Sequence, residues 1–167
     1  MPNVYLPDKL TFIGAGAFSN CIRFTEISVP FVGTSPITTT DEVRHFYDIF
    51  ASSARGIPSS LTSVIVTAGG IIPPEAFSDC SGLKSISFPS QGLTFIGDSA
   101  FYGCSAIENI VLPFTGTSPT NDTTATRNFY SIFGTSVANV PELLTTVEII
   151  SGDIICASAF SGCSRLR

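Results

Sequence analysis

Apolar residues recur along the 167-residue chain in a short alternating phrase, Leu-x-x-Ile-x-apolar-Pro. It reads Leu83, Ile86, Phe88, Pro89 in one place, with relatives at Phe24, Ile27, Val29, Pro30 and at Ile107, Ile110, Leu112, Pro113. Leu61, Val64, Val66 and Leu144, Val147, Ile149 fit without the proline. Alternation of apolar, largely β-branched residues predicts short strands with one buried face. A proline cannot donate to a ladder, so it stops the strand. The central Ile or Val falls at positions 27, 64, 86, 110 and 147, giving steps of 37, 22, 24 and 37. A second phrase, Ile-Gly-x-x-Ala-Phe-x-x-Cys, runs from Ile96 to Cys104. Steps of 22 to 24 fit one coil of a stacked repeat, and the step of 37 is one coil with an insertion. A lone coil cannot bury its apolar edge; stacking coils makes a continuous core and a parallel sheet along one side.

A larger repeat overlies the coils. Ala-Phe occurs at Ala17-Phe18, Ala76-Phe77, Ala100-Phe101 and Ala159-Phe160, so Phe18 maps onto Phe101 and Phe77 onto Phe160, each by 83 residues. The same shift carries Cys21 to Cys104, Cys80 to Cys163, and Leu10-Thr11-Phe12-Ile13-Gly14 onto Leu93-Thr94-Phe95-Ile96-Gly97. It also relates Arg44 to Arg127, Tyr47 to Tyr130 and Pro58 to Pro141 without a gap. The expected organisation is a single solenoid over 1–167, a piece of a longer array, duplicated internally as 1–83 and 84–167. Each unit holds three coils. The ladder residues Phe18, Phe77, Phe101, Phe160 and Cys21, Cys80, Cys104, Cys163 are expected in the core.

The insertions lie at about 31–60 and 114–143. Both open on Pro-Phe-x-Gly-Thr-Ser-Pro, at Pro30 to Pro36 and Pro113 to Pro119, a composition that marks turn and loop. Both continue with Arg-x-Phe-Tyr-x-Ile-Phe. Asp41 is placed to cap a short helix with Val43, Phe46, Tyr47 and Phe50 on one face, and Thr123 or Thr124 takes that role in the second copy. An extended segment is the alternative. The aromatic residues have two readings. Aromatic stripes usually pack, here against the convex side of the stack. Alternatively Phe46, Tyr47, Phe50, Phe129, Tyr130 and Phe133 form part of a partner-binding surface with the Thr-rich tip.

Composition narrows the function classes. Charged residues make up 13% of the chain and the net charge is -5, with no basic block, so nucleic acid is not an expected partner. No apolar run approaches 18 residues, so this segment is not expected to enter a membrane. Met1-Pro2-Asn3-Val4 has no basic region followed by an apolar stretch, so any export signal is expected outside the segment. His45 lies near Asp41, Asp48 and Ser52, but the second copy has Asn128, Thr124 and Ser131 at the matching places, which argues against a Ser-His-Asp site. No phosphate loop, nucleophile elbow or zinc-helix motif occurs, and no cofactor or enzymatic activity is expected. The ladder cysteines form no Cys-x-x-Cys pair, so buried reduced thiols are expected, their S–H groups reaching loop carbonyls. Stacked coils leave a disulfide geometrically feasible. Cys156 stands where the first copy has Pro73 and has no evident role. Asn121-Asp122-Thr123 is a glycosylation sequon.

Ile13-Gly14, Ala17-Phe18, Cys21 and Ile96-Gly97, Ala100-Phe101, Cys104, Pro113 resemble the BspA-like class of leucine-rich repeats. Gly103-Cys104-Ser105 and Asp79-Cys80-Ser81-Gly82-Leu83 resemble its turn segment. The resemblance covers essentially the whole chain. It implies a β-rich α/β solenoid, right-handed, with the parallel sheet on the concave face. It further implies a bacterial cell-surface or secreted, non-catalytic protein that adheres to protein or glycan ligands on host or neighbouring cells. A spacer that displays another domain of the same protein is the alternative. The ends carry no polar cap in the sequence, so end-to-end self-association of the segment is expected. Truncating a core ring, as in Phe77→Ala or Phe101→Ala, should cost about 3–5 kcal/mol in a denaturant melt, and a loss below about 1 kcal/mol would exclude these rings from the core.

Overall fold

The computed structural model describes residues 3–89, 91–119, 124, 128–151 and 154–166. The strands, in chain order, are β1 (Asn3–Tyr5), β2 (Glu26–Val29), β3 (Ser63–Val66), β4 (Gly70–Ile72), β5 (Ser85–Ser87), β6 (Leu93–Ile96), β7 (Asn109–Leu112) and β8 (Thr146–Ile149). Short 3-10 turns intervene at η1 (Phe46–Ile49), η2 (Ala54–Gly56), η3 (Phe129–Ile132) and η4 (Val137–Asn139). Six strands form one sheet in the order β1-β2-β3-β5-β7-β8, every pair parallel. Its register aligns Val4, Ile27, Val64, Ile86, Ile110 and Val147 in a single row. Five of these are the strand centres expected from the pattern. Val4 adds a sixth, 23 residues before Ile27. Side chains alternate across a strand, so Ile27, Val29, Val64, Val66, Ile86, Ile110 and Leu112 point inward and are buried.

A second, two-stranded sheet pairs β4 with β6 in parallel, with a register slip after Gly70. The sequence pattern did not announce it. The stretch Leu10–Ile13 matches β6 by the 83-residue shift but has no partner strand among the described residues and forms no strand. Its Ile13 N–H still bonds the Thr34 carbonyl at 2.8 Å, as Ile96 N–H bonds Thr117 at 2.7 Å. Four pairs of elements share the 83-residue offset: β2 and β7, η1 and η3, η2 and η4, β3 and β8.

Opposite the main sheet the coils are joined by a backbone ladder at the phenylalanine positions. Phe77 N–H bonds Ala100 O at 2.7 Å, Phe101 N–H bonds Ile132 O at 2.8 Å, and Phe18 N–H bonds Ile49 O at 2.8 Å. Sharp turns on both sides aim each ring inward. Two residues before the ring, Gly16, Glu75, Ser99 and Ser158 have φ between 55° and 67°; two residues after it, Asn20, Asp79, Gly103 and Gly162 have φ between 58° and 82°. For Glu75 and the serines this left-handed backbone costs roughly 1–2 kcal/mol each, sustained by the packing it permits.

The rings form a continuous spine in the order Phe18, Phe50, Phe46, Phe77, Phe101, Phe133, Phe129, Phe160, with neighbouring centroids 5.0–5.9 Å apart. An ordinary coil supplies one ring, and a coil with an insertion supplies two. This revises the expected capped helix. The element is a single 3-10 turn beginning at Phe46, and Asp41 lies outside it. Val43 is 59% exposed and does not share the buried face. The cap is the Asp48 carboxylate, which accepts the His45 N–H at 3.0 Å. In the second copy Asn128 holds the cap position of η3; Thr124 is an exposed turn residue, and Thr123 lies outside the described residues. The turn stays short because both its ends are committed to neighbours. Phe46 N–H bonds Ala76 O of the following coil, and Ile49 O accepts Phe18 N–H of the preceding one.

Close stacking can be probed by a matched pair of glycines. A Cβ on Gly97 would collide with the Pro74 backbone, whereas one on the equivalent Gly14 meets nothing within 4 Å. Gly97→Ala should therefore destabilise by about 2 kcal/mol or more, by the overpacking scale. Gly14→Ala should stay within about 0.5 kcal/mol of the parent in the same urea melt.

Candidate functional site

The solvent side of the six-stranded sheet is built by the alternate residues of each strand. Register places Asn3, Glu26, Ser63, Ser85, Asn109 and Thr146 in one row and Tyr5, Ser28, Ile65, Ser87, Val111 and Glu148 in the next, Ser28 alone among them being buried. The middle of this face is small and uncharged, with Ser63, Ser85 and Ser87 flanked by Ile65 and Val111. Its β1 side is organised by hydrogen bonds across strands. Asn3 Nδ2 donates to the Tyr5 hydroxyl at 3.0 Å, Tyr5 donates to Glu26 Oε1 at 3.2 Å, and Ser63 donates to Glu26 Oε2 at 3.3 Å. The Tyr5 ring is 66% exposed. Beyond the rows, Lys84 and Glu108 pair at 2.9 Å, an exposed contact that tunes charge more than stability.

The insertion aromatics do not form one surface. Phe46, Phe50, Phe129 and Phe133 are 0–1% exposed and belong to the ring spine. They cannot contact a partner while the chain is folded, so their assignment to a binding surface is corrected. Tyr47 and Tyr130 are half-buried at the edge. Burial, reinforced by nearby Asp48, raises the Tyr47 phenol above its ordinary value. The His45 ring stacks on Tyr47 at 4.6 Å and 11°, and its Nδ1 lies 3.0 Å from Glu75 O. The Asp48 carboxylate is spent on the backbone N–H of His45, so it does not orient the imidazole as a triad requires.

Two cavities recur at equivalent places. One of about 210 Å³ is lined by Ile57, Pro58, Leu61, Cys80 and Leu83. The other, about 160 Å³, is lined by Val140, Pro141, Leu144, Cys163 and Leu166. Each pair of matching residues is offset by 83. The mouth differs: Gly82 in the first corresponds to Arg165 in the second, whose guanidinium pairs with Glu142 at 3.6 Å.

All five cysteines are free thiols. Cys80, Cys104 and Cys156 are buried, while Cys21 and Cys163 are half-buried. The inserted coils carry Ser53 and Ser136 three residues after their second ring, so the thiol ladder is interrupted and Cys80 and Cys104 alone stand in adjacent coils. The Cys104 thiol donates to Phe77 O at 3.0 Å. Burial pushes Cys104 up from 9.0 to about 12 and Cys80 well above its ordinary value. Cys156 is buried, and its carbonyl accepts the Ala159 N–H at 3.1 Å, as Pro73 O accepts Ala76 N–H at 3.3 Å. Among the described residues no group of three or more His, Cys, Asp or Glu could hold a metal ion, and no helix is long and apolar enough to cross a membrane.

A family model described as the BspA type leucine rich repeat region, with 6 copies, matches residues 1–113 and 46–167. No curated protein and no solved structure matches the chain.

With iodoacetamide near neutral pH, Cys21 and Cys163 should label in the folded chain while Cys80, Cys104 and Cys156 label only on unfolding. Equal rates for Cys80 or Cys104 would overturn their burial. The folded-state pKa of Cys104 lies above its ordinary value, so the stability this thiol contributes is complete below about pH 9 and is lost as pH rises towards about 12. Alkaline unfolding followed by circular dichroism should fall in that window.

Proposed function

Because the chain belongs to the BspA-type leucine-rich-repeat family, we propose that it is a non-catalytic adhesion segment of a bacterial surface protein, binding a protein or glycan on host or neighbouring cells through the outer face of its parallel sheet. Family membership supports a role in protein interaction. The observation that carries the choice of face is the pair of outward rows. Six strands in unbroken register present small polar residues at the centre of the face, Ser63, Ser85 and Ser87. The insertion aromatics that would have competed as a surface are largely interior.

In this reading the sheet is the concave side of a right-handed solenoid. The ring spine supports that curvature. Six strands stand about 4.8 Å apart, whereas eight rings at 5.0–5.9 Å line the other side. The back of the stack is therefore longer than the front. The reading also takes the chain as two tandem units, 1–83 and 84–167, supported by the four pairs of elements and by the two matching cavities at one offset.

The test is solid-phase binding of the chain to a panel of matrix proteins, mucins and intact neighbouring cells. Ser85→Arg with Ser87→Arg places two large cations on the outer face and should weaken capture by 10-fold or more, with circular dichroism unchanged. Absence of binding across the panel by both the chain and its full-length protein, or binding indifferent to the double substitution, would overturn the proposal.

A further inference from the structure

The cavity beside Cys80 follows from how a long coil re-enters the sheet. In an ordinary coil one residue serves two relations. Cys80 stands three residues after its ring, Phe77, and three before Leu83, whose N–H bonds Cys80 O at 3.1 Å. In the inserted coil the two relations separate. Ser53 stands three residues after Phe50, whereas Pro58 stands three before Leu61, whose N–H bonds Pro58 O at 2.9 Å, and η2 lies between them. The residue that lines the junction with Cys80 from the preceding coil is therefore a proline instead of a thiol. Cys104 shows the sealed case, its thiol donating across the junction to Phe77 O at 3.0 Å. The matching carbonyl for Cys80, Phe50 O, accepts Ser19 Oγ at 2.9 Å, and the Cys80 thiol turns to Ser78 O of its own coil at 3.8 Å. Ser60 donates backwards, to Ile22 O at 3.0 Å and Phe24 O at 2.8 Å, which draws the Pro58 wall away from Cys80. The walls join where Lys84 N–H bonds Thr62 O at 2.8 Å. Between them lies a cleft of about 210 Å³, set in the middle of the stack where the chain enters β3 and β5.

We propose that this cleft is a binding site for one compact, uncharged apolar group, a leucine-sized side chain presented by a protein partner. A cavity of about 150 Å³ holds a benzene ring, so the volume suits such a group. Pro58, Leu61, Cys80 and Leu83 are buried walls, and the exposed Ser59, Ser81 and Gly82 form the rim. No charged side chain is among the described residues that line it. Burial holds the Cys80 thiol well above its ordinary pKa, so that wall also stays neutral. The rim serines can donate to, and accept from, the peptide groups that flank an inserted side chain. A sugar placed in the cleft would lose water from its hydroxyls against walls that return no hydrogen bonds. Both walls are already fixed by bonds to other parts of the stack, so little ordering is needed on binding. The duplicate shows how the site is closed. Ser59 and Gly82 correspond to Glu142 and Arg165, whose side chains pair at 3.6 Å beside the matching cavity, and Arg165 also donates to Glu142 O at 3.1 Å. A Cβ on Gly82 meets Leu61 O at 4.0 Å, an ordinary contact, so this position can carry the arginine.

The experiment is a two-dimensional amide NMR titration of the chain with N-acetyl-leucine N-methylamide. Shifts should saturate with a dissociation constant on the order of 10 mM, as burial of one leucine side chain implies, and should centre on Ile57, Leu61, Cys80 and Leu83. N-acetylglycine N-methylamide and methyl glucoside at the same concentrations should leave those signals in place. Ser59→Glu with Gly82→Arg, which transplants the closed mouth of the second copy, should weaken the leucine probe 10-fold or more with circular dichroism unchanged. Ser81→Arg closes the same rim from another position and should do likewise. No saturable shift with the leucine probe would overturn the proposal, as would shifts scattered over the surface, an equal response to the glycine probe or the glucoside, or undiminished binding by a folded rim variant. The Ser85→Arg, Ser87→Arg chain should bind the probe as the parent does, so this site and the adhesive outer face are judged separately.

Discussion

The stack depends on one constraint: the phenylalanine rings on one side must form an unbroken column behind the hydrogen-bonded strands on the other. Strands repeat at a spacing fixed by backbone geometry, about 4.8 Å. Aromatic rings are looser, and a face-to-edge or offset pair is favourable over centroid distances of about 4.5–7 Å. The observed steps of 5.0–5.9 Å sit inside that tolerance. A coil that grows by insertion would open a gap between rings unless it brought a second ring with it. The long coils do so with Phe46 and Phe50, and again with Phe129 and Phe133. The 3-10 turn sets these pairs side by side along the stack, so the added length fills space that would otherwise be void.

The polar groups follow from the same geometry. A ring can point inward only if the backbone turns sharply before and after it, and eight left-handed residues do this at fixed distances from four rings. The turns leave carbonyls facing the interior, and the Cys104 thiol takes the one from Phe77. A serine replaces the cysteine where the chain turns outward into η2 and η4, at Ser53 and Ser136. Thiol and hydroxyl thus sort by burial at one structural position.

Much of the architecture was legible because a two-residue period survives into the strands without distortion. Ile27, Val64, Ile86, Ile110 and Val147 were read as equivalent and are direct partners in the sheet. The short sheet of β4 and β6 was not legible, since Gly70-Ile71-Ile72 carries no alternation and pairs through a register slip. The η1 turn was read as a capped helix because a 3-10 turn and an α-helix both bring residues three and four apart together. What distinguishes them is where the terminal N–H and C=O groups go, here into other coils. The outer face of the sheet was readable as the complement of the buried positions. For the insertion aromatics the packing reading holds at Phe46, Phe50, Phe129 and Phe133, but their place inside the ring spine, rather than against the convex side, was not legible, because a Thr-, Ser- and Pro-rich flank suggests a projecting tip. The left-handed positions had a partial signal in Gly16, Gly103 and Gly162, masked by Glu75 and Ser99 at matching places.

Every strand of the main sheet bonds only to the strands beside it, and within the spine each ring packs on the rings before and after it, with Phe24 and Phe88 bracing it locally. Such a structure has no single nucleus on which all else waits. Order can begin at any pair of coils and spread in both directions, and heat removes it from the ends like a zipper. A lesion in the middle has a different effect. It divides the array into two shorter domains that melt apart, so the cooperativity of unfolding, and not only its midpoint, reports where the chain was damaged.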